Sequence, residues 1–449
     1  MLEIHGRTFR LCDGTTRRSF LKIGSLGFAG LALPEVLRAR QAQAAADRRD
    51  TAVILFWMAG GPSHIDTYDM KPDAPAEVRG PFRSIQTSVP GLDVCELLPR
   101  HASIADKIAL VRSLHHEHSV HDDASHWVQT GYPLLNARAQ GQRQPAQGSV
   151  VSCVRGPNTP GMPAYVCIPE AYSSPKGFYQ AATYLGARHN PLNAGGDPSL
   201  GNYRTPEFAL SADLTLPRLE SRRELLRAVN DFARRMEQDG PLDAMDQMQQ
   251  RAFELVTGSQ ARAAFDLSHE PDALRDKYGR HFWGQSALLA RRLVEAGVTF
   301  VTINLYEADV DWWDDHTTIE KNLQKRLPKY DQALCTLIED LHSRGLSERV
   351  LVAAFGEFGR SPRIDKGAGR GHWPGAMTAL LSGGGIKGGQ IVGSTNADGG
   401  RVKDRPLGPG DLLATMYRVL DIDHELGLPD RQNRPTRLVE TGQPIAELF

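Results

Sequence analysis

The chain has 449 residues, 41% hydrophobic and 23% charged, which is enough for one large domain or two ordinary ones, each with an ample core. A formal net charge of -1 leaves no electrostatic case for nucleic acid or an anionic membrane as partner. No repeat of solenoid period and no low-complexity tract appears.

The first element is the N-terminal stretch TTRRSFLKIGSLGFAGLALPEVLRARQAQAAAD. Arg17 and Arg18 precede Ser19, Phe20, Leu21 and Lys22, an apolar run follows from Ile23 to Leu37, and small residues gather around Ala42 to Ala46. The apolar run is too short and too rich in glycine to span a bilayer. A positive start, an apolar middle and an alanine exit describe a removable export signal over residues 1–46. Arg-Arg-x-Phe-Leu-Lys resembles the twin-arginine signal. That resemblance implies the twin-arginine export machinery as a partner and a periplasmic or other extracytoplasmic location. It also implies export in the folded state and a mature chain that starts near Asp47 with no integral membrane segment. The alternative is an uncleaved N-terminal helix whose leucines belong to a core. Signal removal takes Cys12 and leaves Cys95, Cys153, Cys167 and Cys335, too few for a disulfide scaffold and without a C-x-x-C pair. A Cys153–Cys167 bridge is left open.

TAVILFWMAGG has the near-continuous apolar pattern of a strand buried on both faces, and it ends at Gly60-Gly61-Pro62. Similar runs follow at KIALVRSL, MPAYVCIP, VTFVTINLY, RVLVAAFGEFG and MTALLSG, with helical patterns at ALLARRLVEAG and LPKYDQALCTLIEDLHSRGL between them. The alternation predicts an α/β fold with a mainly parallel sheet covered on both faces. The stretch from about 175 to 285 reads differently. It is loop-rich at LNAGGDPSLGNYRTP and then carries amphipathic helices, which predicts a helical insertion or cap on the same domain.

In such sheets the ligand site lies beyond the carboxyl ends of the strands. His64, Asp66 and Asp69 follow the first run. SLHHEHSVHDDASHWVQTGYP, at 113–133 after the second, holds five of the chain's 15 histidines. Asp311, Asp314, Asp315 and His316 follow VTFVTINLY; Glu357 and Arg360 follow RVLVAAFG; His372 comes shortly after. Carboxylates and imidazoles from several loops suit one or two divalent metal ions, of Zn, Mn, Mg or Ca type. Such an ion polarises a phosphoryl or sulfuryl oxygen and lowers the pKa of an attacking water. Taken singly, each of these residues fits a solvated loop or a helix cap better; gathered at successive strand ends they point to a site.

FWMAGGPSHIDTYDMKP, WWDDH, GEFGRSPR and GHWPGAMTALLSGGGIKGG, in that order, resemble domain-of-unknown-function family 1501 over nearly the whole mature chain. That family is similar to the alkaline phosphatase and sulfatase superfamily, whose fold is a three-layer α/β/α sandwich carrying one or two divalent metals. VQTGYP and LGPGDLLATMYRVLDID resemble further superfamily stretches. The resemblance implies Asp314, His316 and His372 as ligands of one metal and Glu357 as a ligand of a second. Ala59-Gly60-Gly61 stands where relatives have a first-strand aspartate, so His64 or Asp66 would substitute, and Phe358 stands where the second site has a histidine. Counting back from Thr130-Gly131, the nucleophile position falls on His121, with Ser119 and Ser125 out of register and His118, Asp122 and His126 close by. His121 would be a covalent nucleophile or a general base for water. Arg360 would bind an ester oxygen, the alternative being an ion pair. The implied function is an exported metal-dependent hydrolase of phosphate or sulfate esters acting on a small-molecule or glycan ester. The alternative is a non-catalytic exported binding or assembly protein on the same fold.

Overall fold

The computed structural model describes residues 50–171, 179–201, 203, 259–305 and 313–449. The expected export signal, Asp311 and the amphipathic helical patterns between 216 and 258 lie outside the described residues.

Each of the six apolar runs forms a strand of one sheet. These are β1 (Ala52–Trp57), β2 (Ala109–Leu114), β3 (Tyr165–Ile168), β5 (Phe300–Asn304), β6 (Val350–Phe355) and β7 (Met377–Gly383). Two short edge strands complete it, β4 (Leu192–Asn193) and β8 (Gln390–Val392). The order across the sheet is β8-β2-β7-β6-β1-β5-β3-β4. β7 runs antiparallel to both β2 and β6, and every other neighbouring pair is parallel.

The near-continuous apolar character of β1 follows from its central place. Ala52, Ile54 and Phe56 enter one buried cluster, while Val53, Leu55 and Trp57 enter another on the opposite face. Helices α1 (His121–Thr130), α2 (Gln147–Val154) and α5 (Pro409–Val419) contribute Val128, Val150, Val151, Leu412 and Met416 to the Val53 face. Helices α3 (Phe282–Glu295) and α4 (Ile319–Ser343) contribute Leu288, Leu289, Leu327 and Leu334 to the Ile54 face. The result is the three-layer α/β/α sandwich with a mainly parallel sheet that the sequence predicts. Of the 175–285 stretch, the described parts include β4 and the start of α3, both built into this sandwich. Cys95, Cys153, Cys167 and Cys335 are free thiols, so no Cys153–Cys167 bridge forms. Among the described residues no helix is long and apolar enough to cross a membrane.

The carboxyl ends of β1, β2, β5 and β6 lie along one edge of the sheet. Because β7 runs the other way, its beginning lies on that same edge, which is how His372, five residues ahead of Met377, reaches the loops that follow β2, β5 and β6.

Candidate metal centre

The loop after β5 presents Asp314 and His316, and its shape is fixed by the residue between them. Asp315 is fully buried and forms a two-pronged ion pair with Arg326 of α4, at 2.5 and 2.9 Å. Its carbonyl also accepts the Arg370 backbone N–H at 2.8 Å. With Asp315 turned inward, its two neighbours are left facing outward; the side chain of His316 is 48% exposed. His372 comes from a two-residue ribbon, Gly359–Arg360 paired antiparallel with His372–Trp373, which places His372 opposite Arg360.

Three donor atoms meet there. Asp314 Oδ1 lies 3.0 Å from His316 Nε2 and 3.1 Å from His372 Nε2, and the two ring nitrogens are 2.9 Å apart. Donors of a zinc-type ion, each about 2.0–2.2 Å from it, lie roughly 3.3 Å from one another in tetrahedral geometry. The triangle is therefore close to the one a single divalent ion would require. His372 donates its other ring N–H, at Nδ1, to the Ser119 carbonyl at 2.8 Å, the arrangement that leaves Nε2 as a donor to metal.

His121 opens α1 and joins the same cluster. Its Nε2 is 3.3 Å from Asp314 Oδ2, and its Nδ1 is 2.6 Å from Glu357 Oε1. Its ring packs 4.2 Å from that of His372 and 5.0 Å from that of Phe358. Burial alone would lower the His121 pKa, but the hydrogen bonds to Asp314 and Glu357 override it and raise it to about 9. Burial pushes the Asp314 carboxyl upward, and its bonds to His121, His372 and Arg360 more than reverse that, so it stays ionised. For His316 burial is the largest influence, and its pKa is lowered.

Glu357 follows β6 and is buried. The Gly60 N–H donates to both of its oxygens, at 2.9 and 3.1 Å, and His116 Nε2 bonds its backbone carbonyl at 2.6 Å. Gly60 has φ +108°, and a Cβ there would lie 2.6 Å from the Asp314 backbone nitrogen. Glycine is what lets the β1 and β5 loops come this close.

The other expected site residues are placed elsewhere. Arg360 is fully enclosed: Nε donates to the Gly61 carbonyl at 2.8 Å, Nη1 to that of Arg370 at 3.0 Å, and Nη2 to those of Gly60 and Trp313 and to Asp314 Oδ1. A guanidinium committed in this way does not face an ester oxygen; it holds Asp314. Asp66 is not a ligand of this cluster either. Its carboxylate pairs with buried Arg370 at 2.7 and 3.1 Å and accepts from Ser63. His64 is buried and hydrogen-bonds the Gly399 carbonyl at 2.8 Å, with its pKa lowered mainly by burial. Within the histidine-rich stretch, Asp122 accepts from Tyr179, His126 bonds the Tyr132 carbonyl, and His118 packs on Trp127. His116 supports the Glu357 backbone. Arg326 and Gly60 carried no signal of their own, because their roles depend on partners distant in sequence.

No curated protein matches the chain in sequence. Among solved structures, a sulfatase from Pseudoalteromonas sp. is 12% identical at a TM-score of 0.40, over 90% of this chain and 72% of that one. The phosphonate monoester hydrolase of Agrobacterium radiobacter is 11% identical at 0.36, over 88% and 78%. The family model described as a protein of unknown function (DUF1501) matches residues 50–449, a span that takes in every strand of the sheet and every residue of the cluster, and the chain belongs to that family.

Proposed function

We propose that the protein is an exported metal-dependent hydrolase of phosphate or sulfate esters, working on a small-molecule or glycan ester at the Asp314 cluster. The observation that carries this reading is the triangle of Asp314 Oδ1, His316 Nε2 and His372 Nε2, with sides of 2.9–3.1 Å, at the sheet edge where α/β folds place their ligands. A divalent ion held by these donors would polarise an ester oxygen and lower the pKa of water beside it.

The chain's own groups supply the rest. Arg360 fixes Asp314 from behind and balances its charge within the protein. His121 keeps Nδ1 on Glu357 and turns Nε2 toward the cluster, 3.3 Å from Asp314 Oδ2. That nitrogen is placed to take the proton of an attacking water, or to attack the ester itself. Positive charge at Asp314 opposes the rise in the His121 pKa, because it neutralises one of the two carboxylates and repels a second cation. The proposed setting is the periplasm or another extracytoplasmic space, reached through the twin-arginine route.

Elemental analysis of the purified mature protein, followed by assays on phosphate monoesters, phosphodiesters and sulfate esters with the metal found, tests this. Stoichiometric metal with turnover of one ester class is expected. Metal-loaded protein that turns over none of them would overturn it in favour of an exported binding or assembly protein on the same fold.

A further inference from the structure

We infer that Glu357 is the positioning residue of His121 and not a metal ligand, so that the centre holds one metal ion per chain. The inference rests on the metal-site reading above and adds a division of labour within it. Both Glu357 oxygens face donors of the protein. Oε1 accepts from His121 Nδ1 at 2.6 Å, and the Gly60 N–H bridges Oε1 and Oε2 at 2.9 and 3.1 Å. The side chain is 2% exposed, so it meets neither substrate nor solvent. His116 pins the backbone of the same residue at its carbonyl, 2.6 Å from Nε2. Glu357 is thus held in its main chain by His116 and in its side chain by Gly60 and His121.

Among the described residues, little is left with which to hold a second ion beside Glu357. Position 60 admits no side chain, since a Cβ would fall 2.6 Å from the Asp314 nitrogen and 2.7 Å from that of Trp313. The next residue, Phe358, lays an apolar ring 5.0 Å from the ring of His121 and 4.7 Å from that of His372. A divalent ion of this class needs several oxygen or nitrogen donors in its coordination shell. Among the described residues, the groups bonded to the Glu357 carboxylate are the Gly60 N–H and the His121 imidazole N–H. What the geometry does accomplish is to fix one tautomer of His121. With Nδ1–H donated to a buried carboxylate, the neutral ring would carry its lone pair on Nε2, on the side of Asp314.

Two measurements test this, and neither depends on activity alone. Zinc titration of the metal-free full chain should saturate at one ion, and Glu357→Gln should still bind one. In ¹⁵N-histidine NMR of the zinc-loaded protein, with His121 assigned by its loss in His121→Gln, the proton should be on Nδ1. In Glu357→Gln that preference should weaken, because a Gln amide cannot accept from His121 and from Gly60 with both of its ends. For whichever ester is turned over, kcat should fall about 10–100-fold with KM little changed, as is usual on loss of a histidine's carboxylate partner. Two ions in the wild type with one lost in Glu357→Gln would overturn the inference. So would a wild-type His121 protonated on Nε2, a result that does not require the variant to fold. Zinc-loaded protein without any turnover would remove the hydrolase reading and leave the stoichiometry and the tautomer to decide this one.

Discussion

Arg360 shows how far the environment of a side chain can depart from what its type suggests. The sequence offers an arginine beside a cluster of acids, which reads as an oxyanion contact; the fold uses it to tie together the carbonyls of Gly60, Gly61, Trp313 and Arg370 and the carboxylate of Asp314. Arg360→Met would leave those acceptors buried and the Asp314 charge without its partner. A loss of roughly 3–5 kcal/mol is expected for breaking such a pair. A urea midpoint lowered at unchanged slope would register it; a change below about 1 kcal/mol would rule out the clamp. The histidines separate differently. His316→Ala and His372→Ala should lose metal and activity together, each removing a donor of the triangle. His121→Ala should abolish turnover and keep metal near the wild-type level, and full turnover in that variant would show that another base serves the reaction. His115, half-buried against the Leu407 carbonyl at 3.2 Å, should tolerate alanine with little effect on either.

The helix that carries His121 is ended by local chemistry at its C-terminus. Gly131 ends α1 with φ +80°, its N–H bonding the Trp127 carbonyl, so Gly131→Ala should destabilise by about 1 kcal/mol or more through the left-handed backbone. Inside the helix, His126 is neutral. Its Nδ1–H donates to the Tyr132 carbonyl at 2.8 Å, and its Nε2 accepts the Arg143 N–H at 3.3 Å. Burial lowers its pKa from the ordinary 6.5 to about 4. As pH falls from 6.5 towards 4 the unfolded chain takes up the proton first, so the stability contributed by neutral His126 is complete above that window and lost across it. The loss is about 3 kcal/mol in all, at 1.36 per unit. His126→Gln should flatten this part of the stability-against-pH curve, and identical curves would contradict the assignment. All six central strands could be read from their apolar runs. The direction of β7 could not, since a strand buried on both faces has the same pattern whichever way it runs. β4 and β8, of two and three residues, are too short to leave a pattern at all. The cluster was readable in its residue types at the strand ends. What separated Asp314 from Asp66 was a partner, Arg370, that lies 304 residues from Asp66 along the chain.

For the protein as a whole, the leader makes the clearest claim. Changing Arg17 and Arg18 together to Lys should block export and leave uncleaved precursor in the cytoplasm; unchanged mature protein outside it would remove the twin-arginine reading. The sheet order bears on how such a chain is completed. Within the sheet β2 pairs with β7 and β8, and β7 joins that pair to the strands from β6 to β4. On a ribosome, β7 is the last of the six apolar runs to emerge, and until it does β2 is not joined to the other central strands. His121, which follows β2, and Glu357, which follows β6, are then tethered to two separate pieces, while His372 has only just been made. The strand that unites them is thus made after every donor of the triangle, with β8 and α5 still to follow it. A product truncated before Met377 would carry all of the donors and lack the strand that joins β2 to β6.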